Sequence, residues 1–139
     1  MNKSERDDDM TWPSLVQNPE MITSVYQGAP PELRDVHVHE VCLHRDGPAL
    51  RVRLDLPSFP EHPPRKWTAQ GFNTVQIEVT FSGLRKVQLN GFSSNMTADI
   101  FIEENTGVQI HISAPGSDMR AVAHAAVISK VSAYLNTPG

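Results

Sequence analysis

One cysteine, Cys42, is all that the chain carries, so no internal disulfide can form, which fits a reducing compartment. No apolar run approaches the roughly 20 residues that a membrane-spanning helix needs. The opening MNKSERDDDM lacks the apolar stretch of a secretory signal. Basic residues are not in excess: 12 Lys and Arg stand against 16 Asp and Glu, a net charge of −4, without the positive surplus of a nucleic-acid binder. No Gly-x-Ser-x-Gly, phosphate loop or dinucleotide fingerprint occurs. These absences lead to the expectation of a cytoplasmic protein with no membrane segment, no nucleic-acid partner and no cofactor, and they mark out no enzyme class.

What is present is ordinary for a folded domain: 139 residues, 39% hydrophobic and 20% charged. That length suffices for one core without disulfide or metal staples. Residues 1–10, with their run of three aspartates, are too charged to pack and are expected to form a disordered leader before a single β-rich domain over residues 11–139. Asn18, Pro19, Glu20 and Gly28 read as the cap, first turn, favoured acidic start and stop of a short helix from about residue 19 to 27. Ile22, Val25 and Tyr26 form its apolar stripe, with Trp12 and Leu15 packing nearby.

From Val36 onward the period is two. Leu50, Val52, Leu54 and Leu56 alternate with Arg51, Arg53 and Asp55, and Val75, Ile77, Val79 and Phe81 alternate with Gln76, Glu78 and Thr80. The segment LRKVQLNGF follows Ser82 and Gly83 closely enough to predict a hairpin with the strand before it. In ADIFIEENTGVQIHIS, a left-handed Gly107 in a three-residue loop sets Glu104 opposite Val108, Ile102 opposite Ile110 and Ile100 opposite Ile112. Phe101 then lies across from His111, and Glu103 from Gln109, on the opposite face. The alanines of the tail permit a helix with Val127, Val131 and Leu135 on one face, but Val127, Ile128, Val131 and Tyr134 favour a strand, and strand is the expectation. SFPEHPPRKWTAQG reads as an extended loop anchored by Trp67. Its PEHPPR matches an SH3-ligand pattern, but such prolines more often fix a crossing loop. The expected fold is mainly β: an antiparallel sheet or sandwich of about eight strands with one short N-terminal helix. One-sided strands need a covering layer, which a second sheet or a homodimer would supply.

VHVHEVCLH, residues 36–44, looks at first like a metal site, because His37 and His39 fall on one face of a regular strand and imidazole pairs suit zinc. Val36 and Val38 have one parity, however, and Val41 and Leu43 the other. A regular strand therefore buries polar groups whichever face is inside. A one-residue bulge at His39 and Glu40 resolves this, turning all four apolar residues inward and His37, Cys42 and His44 outward. Glu40 then reaches Arg51 or Arg53. The metal alternative, a metal-binding β domain or metal-dependent enzyme using His37 and His39, needs a third ligand such as Cys42, His44, His111 or His124. The cupin pattern also starts with His-x-His, but its following glutamate and glycine-framed second half are missing. A third reading is a β domain holding a small molecule inside.

Several pieces together resemble the immunity protein 50 family of bacterial polymorphic toxin systems: TWPSLVQNPEMITSVYQGAPPEL, HEVCLHRDGPALRVRLDLP with its RDGP turn, HPPRKW, NTVQIEV, LNGF and the closing VSAYL. The resemblance runs from about Trp12 to Leu135. It implies a non-enzymatic, mainly β protein of the bacterial cytoplasm that binds a cognate toxin and neutralises it by occluding its surface. It supplies no binding residues. The residues themselves point to Asp99, Phe101, Glu103 and His111, where an aromatic flanked by carboxylates stands on a rigid hairpin.

Overall fold

The computed structural model describes residues 12–94 and 97–137, so the leader expected over residues 1–10 lies outside the described residues. The chain passes through a 3-10 turn (Trp12–Leu15), helix α1 (Glu20–Thr23), strands β1 (Val36–His44) and β2 (Ala49–Asp55), and helix α2 (Arg65–Ala69). Strands β3 (Thr74–Ser82), β4 (Lys86–Asn90), β5 (Thr97–Glu104), β6 (Val108–Ala114), β7 (Ser117–Ala123) and β8 (Ala125–Tyr134) follow. The fold is mainly β, as the alternating pattern predicts: the strands form one antiparallel sheet in the order β4-β7-β6-β5-β1-β2-β3-β8.

That sheet cannot be flat. β3 and β4 stand six places apart in the strand order, a separation of about 29 Å in a flat sheet at about 4.8 Å per strand. Only Gly83, Leu84 and Arg85 join them, and four residue steps reach about 14 Å at most. β7 and β8 are equally far apart in the order and are joined by His124 alone. The sheet therefore folds over, with β4-β7-β6-β5 as one half and β1-β2-β3-β8 as the other. Among the described residues the halves meet at a seam of two residue pairs, Val36 with Ala98 and His37 with Thr97. The alternating apolar residues of both halves, Leu50, Val52, Leu54, Val75, Ile77, Val79 and Phe81 from one and Ile100, Ile110, Ile112, Met119, Ala121 and Ala123 from the other, belong to one buried cluster.

The expected pairing of β3 with the segment after it is corrected here: β3 pairs with β2 and β8, and β4 pairs with β7. The connection is a corner between the two halves rather than a reversal. Gly83, at φ 65°, packs so closely on the side chain of His124 that any Cβ there would collide with it. The β5–β6 hairpin, by contrast, has the register read from the sequence, from Glu104 with Val108 to Ile100 with Ile112. Its loop holds Thr106 at φ 46° and Gly107 at φ 128°. The tail is strand, as its β-branched residues suggest.

The N-terminal segment closes the β8 edge. Ile22 is fully buried, and Trp12, Val16 and Tyr26 are buried in the same core. The helix is shorter than the pattern predicts, four residues followed by turns as far as Gly28, and Pro19 rather than Asn18 occupies the cap position. Asn18 instead uses its side-chain amide as a strand would use its backbone. Nδ2 donates to Ile128 O and Oδ1 accepts from Ile128 N, both at 2.9 Å, while the Gln17 N–H donates to Ala126 O. In the supposed extended loop, the chain after Pro64 turns into α2, which seats the half-buried Trp67 beside Phe59 with ring centroids 6.1 Å apart. Replacing Asn18 with Ala strands both Ile128 groups, and the expected cost is about 1–3 kcal/mol. A urea unfolding midpoint equal to that of the parent would show that the segment docks through its apolar residues alone.

Candidate functional site

The opening strand carries its bulge where the valine parities require it. Val38 pairs with Leu54 and Glu40 with Arg53, leaving His39 as the extra residue. Val41 and Leu43 then lie opposite Val52 and Leu50, on the core side, as expected. They are nonetheless 40% and 53% exposed. The phase was legible but the cover was not: among the described residues, β5 pairs with β1 only at Val36 and His37 and leaves the rest of that edge open. His37, Cys42 and His44 are on the outer side, and Glu40 lies 3.6 Å from Arg53 and 3.7 Å from Arg51.

The bulge aims His39 at Asp55, which is only 5% exposed although it belongs to the polar face. Three partners replace the lost water: His39 Nε2 at 2.8 Å, the Tyr134 hydroxyl at 2.5 Å and Gln76 Nε2 at 3.1 Å. Burial pushes the Asp55 carboxyl upward, but the hydrogen bonds from Tyr134, His39 and Gln76 together hold it below the usual carboxylate range. Tyr134 is pushed up to about 12 by burial and by the adjacent carboxylate. The cluster ties β1, β2, β3 and β8 together across their outer face. His37 stacks at a tilt on His39, centroids 4.7 Å apart, so the two histidines are neighbours as the metal alternative requires. His39 Nε2 is committed to Asp55, and among the described residues no group of three or more His, Cys, Asp and Glu is arranged to hold a metal ion.

The outer face of the other half carries Asp99, Phe101, Glu103 and His111, the residues expected to bind, and strand register sorts that face into rows. Asp99, Ser113, Asp118 and Asn90 form one row; Phe101, His111, Arg120 and Gln88 the next; Glu103, Gln109, Val122 and Lys86 the third. All four expected residues thus share one face. Phe101 and His111 touch, with centroids 5.8 Å apart, above a shallow depression of about 260 Å³.

Two features differ from the sequence reading. Asp99 is tied to the scaffold, since its Oδ1 accepts the Asp35 N–H at 2.9 Å. The aromatic is also not ringed by carboxylates alone: Arg34 lies 5.0 Å above the Phe101 ring, and Arg120 and Lys86 line the depression. Asp118 holds His111 at 2.6 Å and Arg120 at 3.4 Å, and these contacts, His111 first, keep its carboxyl below the usual range. Lys86, Asp118 and Arg120 are not legible from the hairpin alone, because their strands join it only through the pairings of β6 with β7 and β7 with β4. The Pro115-Gly116 turn, read as a second hairpin, would have brought in Asp118 and Arg120. Lys86 lies on a strand that is distant in sequence from its partner.

Fold and face together define a class: an antiparallel β protein that presents a rigid, mixed-charge sheet surface around an aromatic centre. The family model for immunity protein 50 matches residues 18–134, and the chain belongs to that family. Membership points to a toxin-neutralising and generally non-catalytic role. No curated protein and no solved structure matches the chain. No helix among the described residues is long and apolar enough to cross a membrane.

The low-lying Asp55 carboxyl carries a pH dependence with a definite sign. A folded-state value below the unfolded one, near 3.9, makes its contribution complete above that value. The contribution is lost as pH falls through the folded value. The parent should therefore lose stability steeply below about pH 4. Asp55→Asn should be less stable at pH 7 by about 1–3 kcal/mol and show a flatter acid limb. Parallel acid limbs in urea melts of the two proteins would remove Asp55 from this role.

Proposed function

We propose that the protein neutralises a bacterial toxin by covering part of its surface with the outer face of β5, β6, β7 and β4. Phe101 and His111 stand at the centre of that face, with Glu103 and Asp99 towards its margins. The observation that carries this reading is the row from Phe101 through His111 and Arg120 to Gln88, which sets a phenyl ring, an imidazole and a guanidinium in succession on four paired strands. Tyr, Trp and Arg dominate binding hot spots and Phe is enriched at interfaces, because planar groups bury much area for little lost side-chain freedom. A backbone already held in a strand ladder loses little further entropy on binding.

Family membership supports the role, and the geometry favours occlusion over chemistry. Hydrogen bonds to Asp118 and the Asp35 amide orient His111 and hold Asp99, as a docking surface requires. The mixed charges of the face would set the orientation of the partner. The net charge of −4 would favour encounter with a basic toxin over long range. We place the protein in the cytoplasm of the producing bacterium, where an inhibitor intercepts a toxin that threatens the producer or its kin.

The test is a calorimetric titration against a toxin that copurifies with the protein. The double variant Phe101→Ala with Glu103→Lys should bind at least tenfold more weakly, about 1.4 kcal/mol, and melt at the temperature of the parent. Unchanged affinity would move the interface off this face. Failure to rescue cells from that toxin would defeat the reading as a whole.

A further inference from the structure

The two ends of the strand order are treated differently. The β8 edge is occupied, since Gln17 and Asn18 supply it with hydrogen-bonding partners. The β4 edge is not: among the described residues β4 pairs only with β7, so every second residue from Lys86 to Asn90 turns its N–H and C=O away from any strand. Proteins ordinarily blunt such an edge with a bulge, proline or inward-pointing charge, because it is a template for another strand. The open part of β1 is blunted in this way by the His39 bulge. β4 has neither bulge nor proline and its register with β7 is regular throughout; its one charge, Lys86, stands at the start of this five-residue strand and leaves Val87 to Asn90 open.

Beside that edge stand two of the most exposed apolar side chains of the molecule. Leu89 lies on the core side opposite Met119 but is 55% exposed, and Phe92, two residues beyond the strand, is 91% exposed. Phe92 is held on a firm corner. Gly91 at φ 78° packs against the Gly116 carbonyl, leaving no room for a Cβ, and the Ser93 hydroxyl donates to Pro115 O at 3.1 Å.

We propose that β4 is the contact of a homodimer, in which two copies pair antiparallel about a two-fold axis through Gln88 and join their sheets edge to edge. The sequence of the strand, KVQLN, is self-complementary about that point. Val87 of one copy meets Leu89 of the other on the core side, and Lys86 meets Asn90, so no like charges face each other. The two-fold also closes the contact, so that assembly stops at two copies. Five strand residues and one phenylalanine from each copy make an interface smaller than the roughly 1,600 Å² of a standard one, so the dimer forms as concentration rises. The contact shares Lys86 and Gln88 with the β4 margin of the proposed toxin-binding face, but it is argued from the strand edge alone, and self-association is measured without any toxin present.

The test is sedimentation velocity of the full chain over a concentration series, with circular dichroism melts to verify folding. The parent should pass from monomer to dimer. Gln88→Lys and Gln88→Glu each put like charges face to face on the axis, and each should weaken self-association at least tenfold. An equimolar mixture of the two should recover it, because Lys then meets Glu, and this recovery cannot come from a variant that has simply misfolded. A parent that stays monomeric throughout, a dimer indifferent to both substitutions, a mixture that does not recover, or open-ended growth past two copies would each overturn the proposal.

Discussion

The two corners of the sheet govern everything else in the molecule. Three residues cross from β3 to β4 and one from β7 to β8, although each pair stands six places apart in the strand order. The chain can satisfy both connections only by folding the sheet over its own apolar side, which places two rows of alternating hydrophobic residues against each other in one core. The contact of Gly83 with His124 brings the two corners together, and a side chain at that glycine would press directly on them. Closure also explains how a sheet with so little helix finds its cover.

Folding over leaves polar faces outward on both halves, and the two are used differently. On β1, β2, β3 and β8 the polar residues bond to one another: Asp55 gathers His39, Tyr134 and Gln76, and Glu40 lies between Arg51 and Arg53. Strand register also sets Glu40, Arg53, Glu78 and Lys130 in one row of alternating sign. That face is occupied with holding four strands in place, and His39 belongs to this bonding. On β4, β5, β6 and β7 the polar residues leave an aromatic and several charges facing solvent around a depression, the combination that a partner can use. In an immunity protein such a division has a physical logic, because the stabilising network and the proposed recognition surface can change independently when they do not share side chains.

Much of this was legible in the sequence because β structure writes its faces in a period of two. The β5–β6 register followed from one glycine and a loop length, and it brought Phe101, His111 and Glu103 to one face before any coordinates. The β1 bulge followed from the clash of valine parities, since burying a polar group would cost more than breaking the ladder. Less legible was anything carried by strands distant in the chain. β4 joins β7 across about 30 residues, so Lys86 and Gln88 entered the candidate face unannounced. The exposure of Val41 and Leu43 depends on where β5 leaves β1, which no local pattern encodes.

The amino-acid sequence by itself determined which residues alternate in and out, where the ladder must slip, and which turn reverses the chain, because each is settled within a few residues by sterics and by the cost of burying polar groups. It also carried enough pattern to indicate the family. Only the tertiary structure decided that Gly83 to Arg85 is a corner and not a hairpin turn. The same is true of Asn18, which serves β8 rather than a helix, and of Asp55, which lies under His39 and Tyr134. A short connection or a polar side chain has several locally equivalent uses, and the choice among them falls to whichever distant strand arrives with an unpaired backbone or an uncovered charge.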